Sequence, residues 1–84
     1  LDLSSIPLIK QLTHLPIIVD PSHGTGKSSL IKDMSLAAIA CNADGLMIEV
    51  NNHPETALSD AMQAISSKEL KVIIEKANKI KEII

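Results

Sequence analysis

Three side chains that could bind a metal ion lie at or after the ends of two predicted strands. His23 comes shortly after the run at 16–19, Glu49 lies at the end of the run at 45–50, and Asp60 lies in the segment that follows. One imidazole and two carboxylates suit a divalent ion such as Mn²⁺, Fe²⁺, Co²⁺ or Zn²⁺. Neighbouring parallel strands lie about 4.8 Å apart, so two such strands would bring His23 and Glu49 together. By spacing alone, however, a loop histidine and two solvated carboxylates are the favoured interpretation.

The stretch HGTGKS at 23–28 suggests a different chemistry, because it ends like a phosphate-binding loop. A Walker A loop has the pattern G-x-x-x-x-G-K-[ST] between a strand and a helix. Gly26, Lys27 and Ser28 match its end, but Pro21 stands where the first glycine belongs. Proline has no N–H group, whereas a phosphate cradle is built from backbone N–H groups. A nucleotide-binding loop therefore stays open only as the weaker alternative.

The first half of the chain predicts a helix, a strand, a loop and a second helix. Ser4-Ser5 before Pro7 is typical of a helix start, and the pattern predicts a helix to about Leu12. A strand at 16–19 and a loop over 21–27 follow. The second helix begins near Ser28 or Ser29, and its predicted apolar face consists of Leu30, Met34, Ala37, Ala38 and Cys41.

The second half predicts a strand, a long connection and a third helix. The run at 45–50 is almost continuously apolar, which is typical of a parallel strand buried on both faces. Ser66 and Glu69 form a capping box at the start of the last helix. Its predicted apolar stripe is Leu70, Ile73, Ile74, Ala77, Ile80 and Ile84. This order predicts an α/β protein, with about a quarter of a (β/α)8 barrel favoured over a piece of an open doubly wound sheet.

Composition limits the classes of partner and compartment. The chain has 84 residues, no aromatic side chain and a net charge of −2, and all eight of its cationic residues are Lys. This balance argues against a nucleic-acid partner. A single cysteine allows no internal disulfide, which fits a reducing cytoplasm. No apolar run approaches the roughly 20 residues that span a membrane.

Three separated motifs resemble the same enzyme family. LPIIVDPSHGTG at 15–26, ADGLMIEV at 43–50 and ALSD at 57–60 are similar to the C-terminal part of 3-deoxy-arabino-heptulosonate 7-phosphate (DAHP) synthase. The type is the short bacterial and archaeal one, which is related to 3-deoxy-manno-octulosonate 8-phosphate synthase. The resemblance implies a TIM (β/α)8 barrel whose last two strands lie in this chain. Residues 1–84 would then be the C-terminal segment of one barrel domain, incomplete by itself.

The resemblance also implies roles for individual residues. The metal ligands of the family map onto His23, Glu49 and Asp60, and a fourth ligand is a Cys from an early strand that this chain lacks. Cys41 is not that ligand, because its place on an apolar helix face predicts core packing. Asp20, at the end of the first strand, is a candidate catalytic residue that contacts substrate or orients a neighbour, or else simply caps the turn. Lys27 stands where the family commonly has Arg and is a candidate substrate-binding residue.

The implied reaction condenses phosphoenolpyruvate with erythrose 4-phosphate to give DAHP and phosphate, the first step of the shikimate pathway to aromatic amino acids. A divalent metal is the implied cofactor, and the full-length protein is expected to be a cytoplasmic tetramer or dimer with no membrane partner. The octulosonate synthase and the phosphate-loop protein remain alternatives. The 84 residues alone are expected to be inactive, as a fragment that self-associates through its open strand edges.

Overall fold

The computed structural model describes residues 1–51 and 64–84. Its elements are α1 (Ser5–Leu12), β1 (Ile18–Val19), α2 (Pro21–Thr25), α3 (Ser28–Ala40), β2 (Gly45–Leu46) and α4 (Ser67–Ile83). The two strands pair in parallel, with Ile18 opposite Gly45 and Val19 opposite Leu46. A parallel bridge also joins Val50 to Ile65. The predicted helix–strand alternation is confirmed, although both strands are shorter than predicted.

Helix α2 replaces the loop that the sequence predicts at 21–27, so that prediction is wrong. Pro21 occupies the first helical position, where its fixed φ favours the helix and its missing N–H costs nothing. Asp20 precedes it as the N-cap, and its side chain accepts a hydrogen bond from the backbone N–H of His23. Gly26 ends the helix in the left-handed region at φ 69°. The chain therefore leaves β1 through a short helical turn that fixes the direction of His23.

Helix α3 begins at Ser28 as predicted, but a different face is buried. The buried residues are Ile31, Ser35, Ala38 and Ile39, whereas Leu30, on the predicted face, is 45% exposed. The helix is apolar on most of its surface, so the sequence permits more than one orientation. Packing of Ile31 against Ile65 and Ile73 selects the observed one. Cys41 is partly buried against the core, which confirms the packing role predicted for it.

Helix α4 has the predicted cap and only part of the predicted apolar stripe. The Ser66 hydroxyl accepts a hydrogen bond from the backbone N–H of Glu69 at 3.1 Å. Ile73 and Ala77 are buried, but Ile74 and Ile84 are 51% and 61% exposed. The stripe is therefore narrower than the sequence predicts. No helix in residues 1–51 and 64–84 combines the length and apolar character needed to cross a membrane.

The two-stranded sheet has one packed face and one open face. Val19 belongs to the core formed with helices α1 and α3, and Leu46 packs against that core. Because side chains alternate along a strand, the neighbouring residues point the other way. Ile18 and Met47 are accordingly 57% and 61% exposed. The prediction that the second strand is buried on both faces is wrong within the described part of the chain, since nothing there covers this face.

An ion pair joins the elements at the amino ends of the strands. Asp44, immediately before β2, accepts hydrogen bonds from Lys10 Nζ through both carboxylate oxygens at 3.0 Å and from the Ile17 N–H at 2.8 Å. The hydrogen bond from the Ile17 N–H is the main reason that the pKa of Asp44 is lowered below its usual value, and the hydrogen bond from Lys10 is the next. Lys81 of α4 donates to the Asp44 carbonyl at 3.5 Å. This cluster fixes the ends of the sheet that lie opposite the predicted site.

Candidate metal site

His23 lies between two carboxylates at the carboxyl ends of the strands. Its Nδ1 is 2.6 Å from Oδ2 of Asp20, and its Nε2 is 3.7 Å from Oε1 of Glu49. The His23 side chain is 54% exposed, so solvent and ligands have access to it. The crossover through α2 and α3 brings His23 and Glu49 together although 26 positions separate them in sequence. Two of the three predicted metal ligands therefore converge.

Asp20 contacts His23 through both oxygens of its carboxylate. Oδ1 accepts from the His23 backbone N–H at 2.9 Å, and Oδ2 faces the ring nitrogen Nδ1. Partial burial acts to raise the pKa of Asp20, but the hydrogen bonds from His23 outweigh it and the pKa is lowered. A carboxylate at Nδ1 favours the tautomer whose proton is on Nδ1, which leaves the Nε2 lone pair directed toward Glu49. Asp20 thus caps α2 and orients His23, two of the roles that the sequence left open.

Glu49, three residues after β2, is held through its backbone. Its N–H donates to the hydroxyl of Ser22 at 2.9 Å, and Ser22 is fully buried. The sequence analysis missed Ser22. The sequence feature that could have indicated Ser22 is its position, as a small polar residue directly between the Pro that starts α2 and the candidate ligand His23. A buried hydroxyl usually has a hydrogen-bond partner, and here the partner belongs to the other candidate ligand.

The donor set and spacing fit a divalent ion. Ligand atoms lie about 2.0–2.2 Å from such an ion, so two ligands of one ion are at most about 4.3 Å apart. The 3.7 Å between His23 Nε2 and Glu49 Oε1 satisfies this limit. Asp60, the third predicted ligand, lies outside the described residues. Within residues 1–51 and 64–84, no three His, Cys, Asp or Glu side chains are grouped so as to hold a metal.

The backbone after β1 does not form the cradle of a nucleotide-binding loop. The N–H of Gly24 donates to the Asp20 carbonyl and that of Gly26 to the Ser22 carbonyl, each at 3.0 Å. These groups are engaged within α2, whereas a phosphate cradle presents its N–H groups to the ligand. Lys27 is exposed and immediately precedes α3, four positions after His23. This geometry argues against the phosphate-loop alternative.

Among the described residues, one further histidine, His14, is not part of this arrangement. His14 is exposed and lies between α1 and β1, in agreement with its prediction as a loop residue. His53 lies outside the described residues. The candidate site therefore consists of His23 and Glu49, with Asp20 and Ser22 as their hydrogen-bond partners.

Comparison with known proteins gives a consistent family. The model of the DAHP synthetase I family matches residues 1–84. A phospho-2-dehydro-3-deoxyheptonate aldolase of Thermotoga maritima is 42% identical over 95% of this chain and 24% of its own length. A 2-dehydro-3-deoxyphosphooctonate aldolase of Geotalea daltonii is 31% identical over 99% of this chain and 34% of its own.

The solved structures agree with this result. The crystal structure of the Thermotoga maritima DAHP synthase superposes with a TM-score of 0.93 at 41% identity, covering 99% of this chain and 24% of that one. A truncated form of the same synthase gives the same score and is covered over 32% of its length. The chain thus spans about a quarter of the length of the heptonate aldolase. From the match along its whole length, the chain belongs to the DAHP synthetase I family.

Proposed function

We propose that this chain is the C-terminal segment of a metal-dependent DAHP synthase, and that His23, Glu49 and Asp60 bind the metal. The observation that carries the proposal is the convergence of His23 Nε2 and Glu49 Oε1 at 3.7 Å, with Nδ1 held by Asp20. Strand ends of this kind are where barrel enzymes place their chemistry. The similarity to an aldolase of this type supports the same assignment.

The barrel itself is part of the proposal. Parallel pairing of β1 and β2 through a helical crossover is the repeating unit of a (β/α)8 barrel. The exposed side chains of Ile18 and Met47 are apolar and belong to the open face of the sheet. In a barrel they would face inward and pack in the layers of the core. Residues 1–84 would then be part of one domain, together with the strands that complete the barrel.

The proposed reaction joins a three-carbon phosphate ester to a four-carbon sugar phosphate. C3 of phosphoenolpyruvate attacks the aldehyde carbon of erythrose 4-phosphate, water adds at C2, and the C2–O bond breaks to release phosphate. A divalent ion, when bound, polarises the aldehyde oxygen or the water as a Lewis acid. In this chain His23 and Glu49 would donate lone pairs to the ion, and Asp20 would keep the His23 proton on Nδ1. Lys27 is proposed to interact with a substrate phosphate.

The cellular setting is proposed on the same basis. The product would enter the shikimate pathway to aromatic amino acids, and the full-length enzyme would be a cytoplasmic dimer or tetramer. Neither a nucleic acid nor a membrane is proposed as a partner. The native ion is one of Mn²⁺, Fe²⁺, Co²⁺ and Zn²⁺, all of which accept imidazole and carboxylate ligands.

The octulosonate synthase is the second candidate, because similar octonate aldolases match nearly the whole chain. An eight-carbon product needs a five-carbon phosphosugar in place of erythrose 4-phosphate. The identity is 42% to the heptonate enzyme and 31% to the octonate enzyme, which favours the four-carbon acceptor. Comparing the two acceptors in one assay separates the candidates.

The test uses the full-length protein that contains this chain. Divalent metal binding is measured by calorimetry, and phosphate release is measured with phosphoenolpyruvate and either acceptor. We expect His23→Ala to abolish tight metal binding and turnover together, because it removes the Nε2 ligand. His14→Ala is the matched control, since it removes an exposed imidazole outside the site.

Two results would contradict the proposal. If His23→Ala kept the metal affinity and turnover of the wild type, His23 would not be a metal ligand. Faster turnover with the five-carbon acceptor would favour the octulosonate reaction and leave the metal assignment in place.

A further inference from the structure

Ser22 takes the place of a strand residue in the hydrogen-bond ladder between β1 and β2. The N–H of Gly45 donates to the Ile17 carbonyl at 3.3 Å, and that of Met47 to the Val19 carbonyl at 2.8 Å. In a parallel ladder the next donor is the Glu49 N–H and the next acceptor is the carbonyl of residue 21.

The chain, however, has already turned into a helix at that point. Residue 21 is the first position of α2, and a helical carbonyl is directed along the helix axis toward the residue four positions on. The Glu49 N–H donates instead to the Ser22 hydroxyl at 2.9 Å. A side chain thereby continues the ladder by one bond after the backbone of β1 has ended.

The bond is well placed to set the geometry of the site. Ser22 is fully buried, so its hydroxyl is shielded from competing water. It is the residue directly before His23, and its partner is the backbone of Glu49 itself. A single hydrogen bond therefore connects the backbones that carry the two candidate ligands.

We propose that Ser22 is a positioning residue for the metal site: its buried hydroxyl fixes the backbone of Glu49 relative to His23. The presence of a metal rests on the proposed function, whereas the hydrogen bond between Ser22 and Glu49 does not. Loss of the hydroxyl leaves the Glu49 N–H without its acceptor and allows the end of β2 to separate from α2. Residues that orient metal ligands typically contribute about 10- to 100-fold to metal affinity.

The test compares Ser22→Ala with Ser35→Ala in the full-length protein. Ser35 is the matched control because it is also fully buried, yet its hydroxyl has no hydrogen-bond partner in the described part of the chain. Co²⁺ is the probe, since its visible absorption reports ligand geometry and its titration gives the affinity. Amide hydrogen exchange of the peptide containing Glu49 is measured without metal.

We expect Ser22→Ala to weaken Co²⁺ binding about 10- to 100-fold and to change the Co²⁺ spectrum. Exchange at the Glu49 amide should accelerate about tenfold. Ser35→Ala should change none of these. Ser22→Cys has a similar side-chain volume but a weaker hydrogen-bond acceptor, so it should produce the same changes with smaller size. This variant replaces Ser22→Ala in the test if the Ala variant does not fold.

Unchanged affinity, spectrum and exchange in Ser22→Ala would overturn the proposal, as would equal effects in Ser35→Ala. A wild-type protein that binds no Co²⁺ would overturn both this proposal and the proposed function. A wild-type protein that binds Co²⁺ but forms no product from either acceptor would remove the proposed function alone.

Discussion

Asp20→Asn should reverse the hydrogen-bond roles at the His23 ring. In the native chain the carboxylate Oδ2 lies 2.6 Å from Nδ1 and favours a proton on that nitrogen. An amide in the same place can present its NH₂ group to Nδ1, which then acts as the acceptor. The ring proton moves to Nε2, the atom that faces Glu49, and Nε2 loses the lone pair that a metal needs.

The size of the effect follows from the type of bond that is lost. A hydrogen bond to a charged group contributes about 1.5–3 kcal/mol. The His23 side chain is 54% exposed, which places the value in the lower part of that range. About 1.5–2 kcal/mol corresponds to a loss of about 10- to 30-fold in metal affinity.

The assay is a calorimetric Mn²⁺ titration of the full-length protein together with unfolding in denaturant. Asp20→Ala is the comparison variant, because it removes the N-cap of α2 as well as the contact with Nδ1. Asn caps helices about as well as Asp, whereas Ala at an N-cap costs about 1 kcal/mol. Both variants should therefore lose metal affinity, Asp20→Asn at least as much because it also reverses the ring tautomer, while only Asp20→Ala loses stability.

The reasoning would be refuted if Asp20→Asn bound Mn²⁺ as tightly as the wild type. It would also fail if both variants lost the same stability, since the carboxylate would then act as more than a cap and a ring partner.

Three further predictions concern stability of the full-length protein. Gly26→Ala should lower the free energy of unfolding by about 1–2 kcal/mol, because the backbone at this position has φ 69°, and no atom lies near the Cβ that Ala would add. Gly26→Asn should lower it less, and equal losses for the two variants in denaturant unfolding would contradict this reasoning. Ser66→Ala should cost about 1 kcal/mol through loss of the α4 cap, and Ser66→Asn should retain most of it in the same measurement. Because the pKa of Asp44 is lowered from 3.8, its stabilisation is present above that value and lost as pH falls through the folded-state pKa. The Tm difference between wild type and Asp44→Asn should therefore shrink on acidification, and a pH-independent difference would contradict the role assigned to this carboxylate.

The sequence predicted those features that depend on local signals. The start of α3 at Ser28 and the Ser66 cap were both readable from a few residues, and both are present. The convergence of His23 with Glu49 followed from treating two apolar runs as adjacent parallel strands, and the paired strands confirm it. The predicted ligand role of Asp60 is not tested, because this residue lies outside the described ones.

The failures arise where the choice depends on tertiary packing or on competing local signals. Helix α3 offers apolar residues on several sides, and contact with α4 rather than its own pattern decides that Ile31 is buried. The sequence predicted a loop at 21–27, although Asp20-Pro21 is also a helix start. The exposure of Met47 depends on which strands accompany β2, and no property of one strand reveals that.

Asp44 directly precedes β2 and Glu49 lies three residues after it, so the stabilising ion pair and the candidate ligand are separated along the chain. If these five residue steps are fully extended they span about 16 Å, roughly twice the Debye length at physiological ionic strength. The cluster of Lys10, Asp44 and Lys81 can therefore be exchanged for other stabilising contacts with little electrostatic effect on His23. Selection for heat or salt tolerance has room to vary the amino ends of these strands while the His23–Glu49 contact at the other ends is preserved.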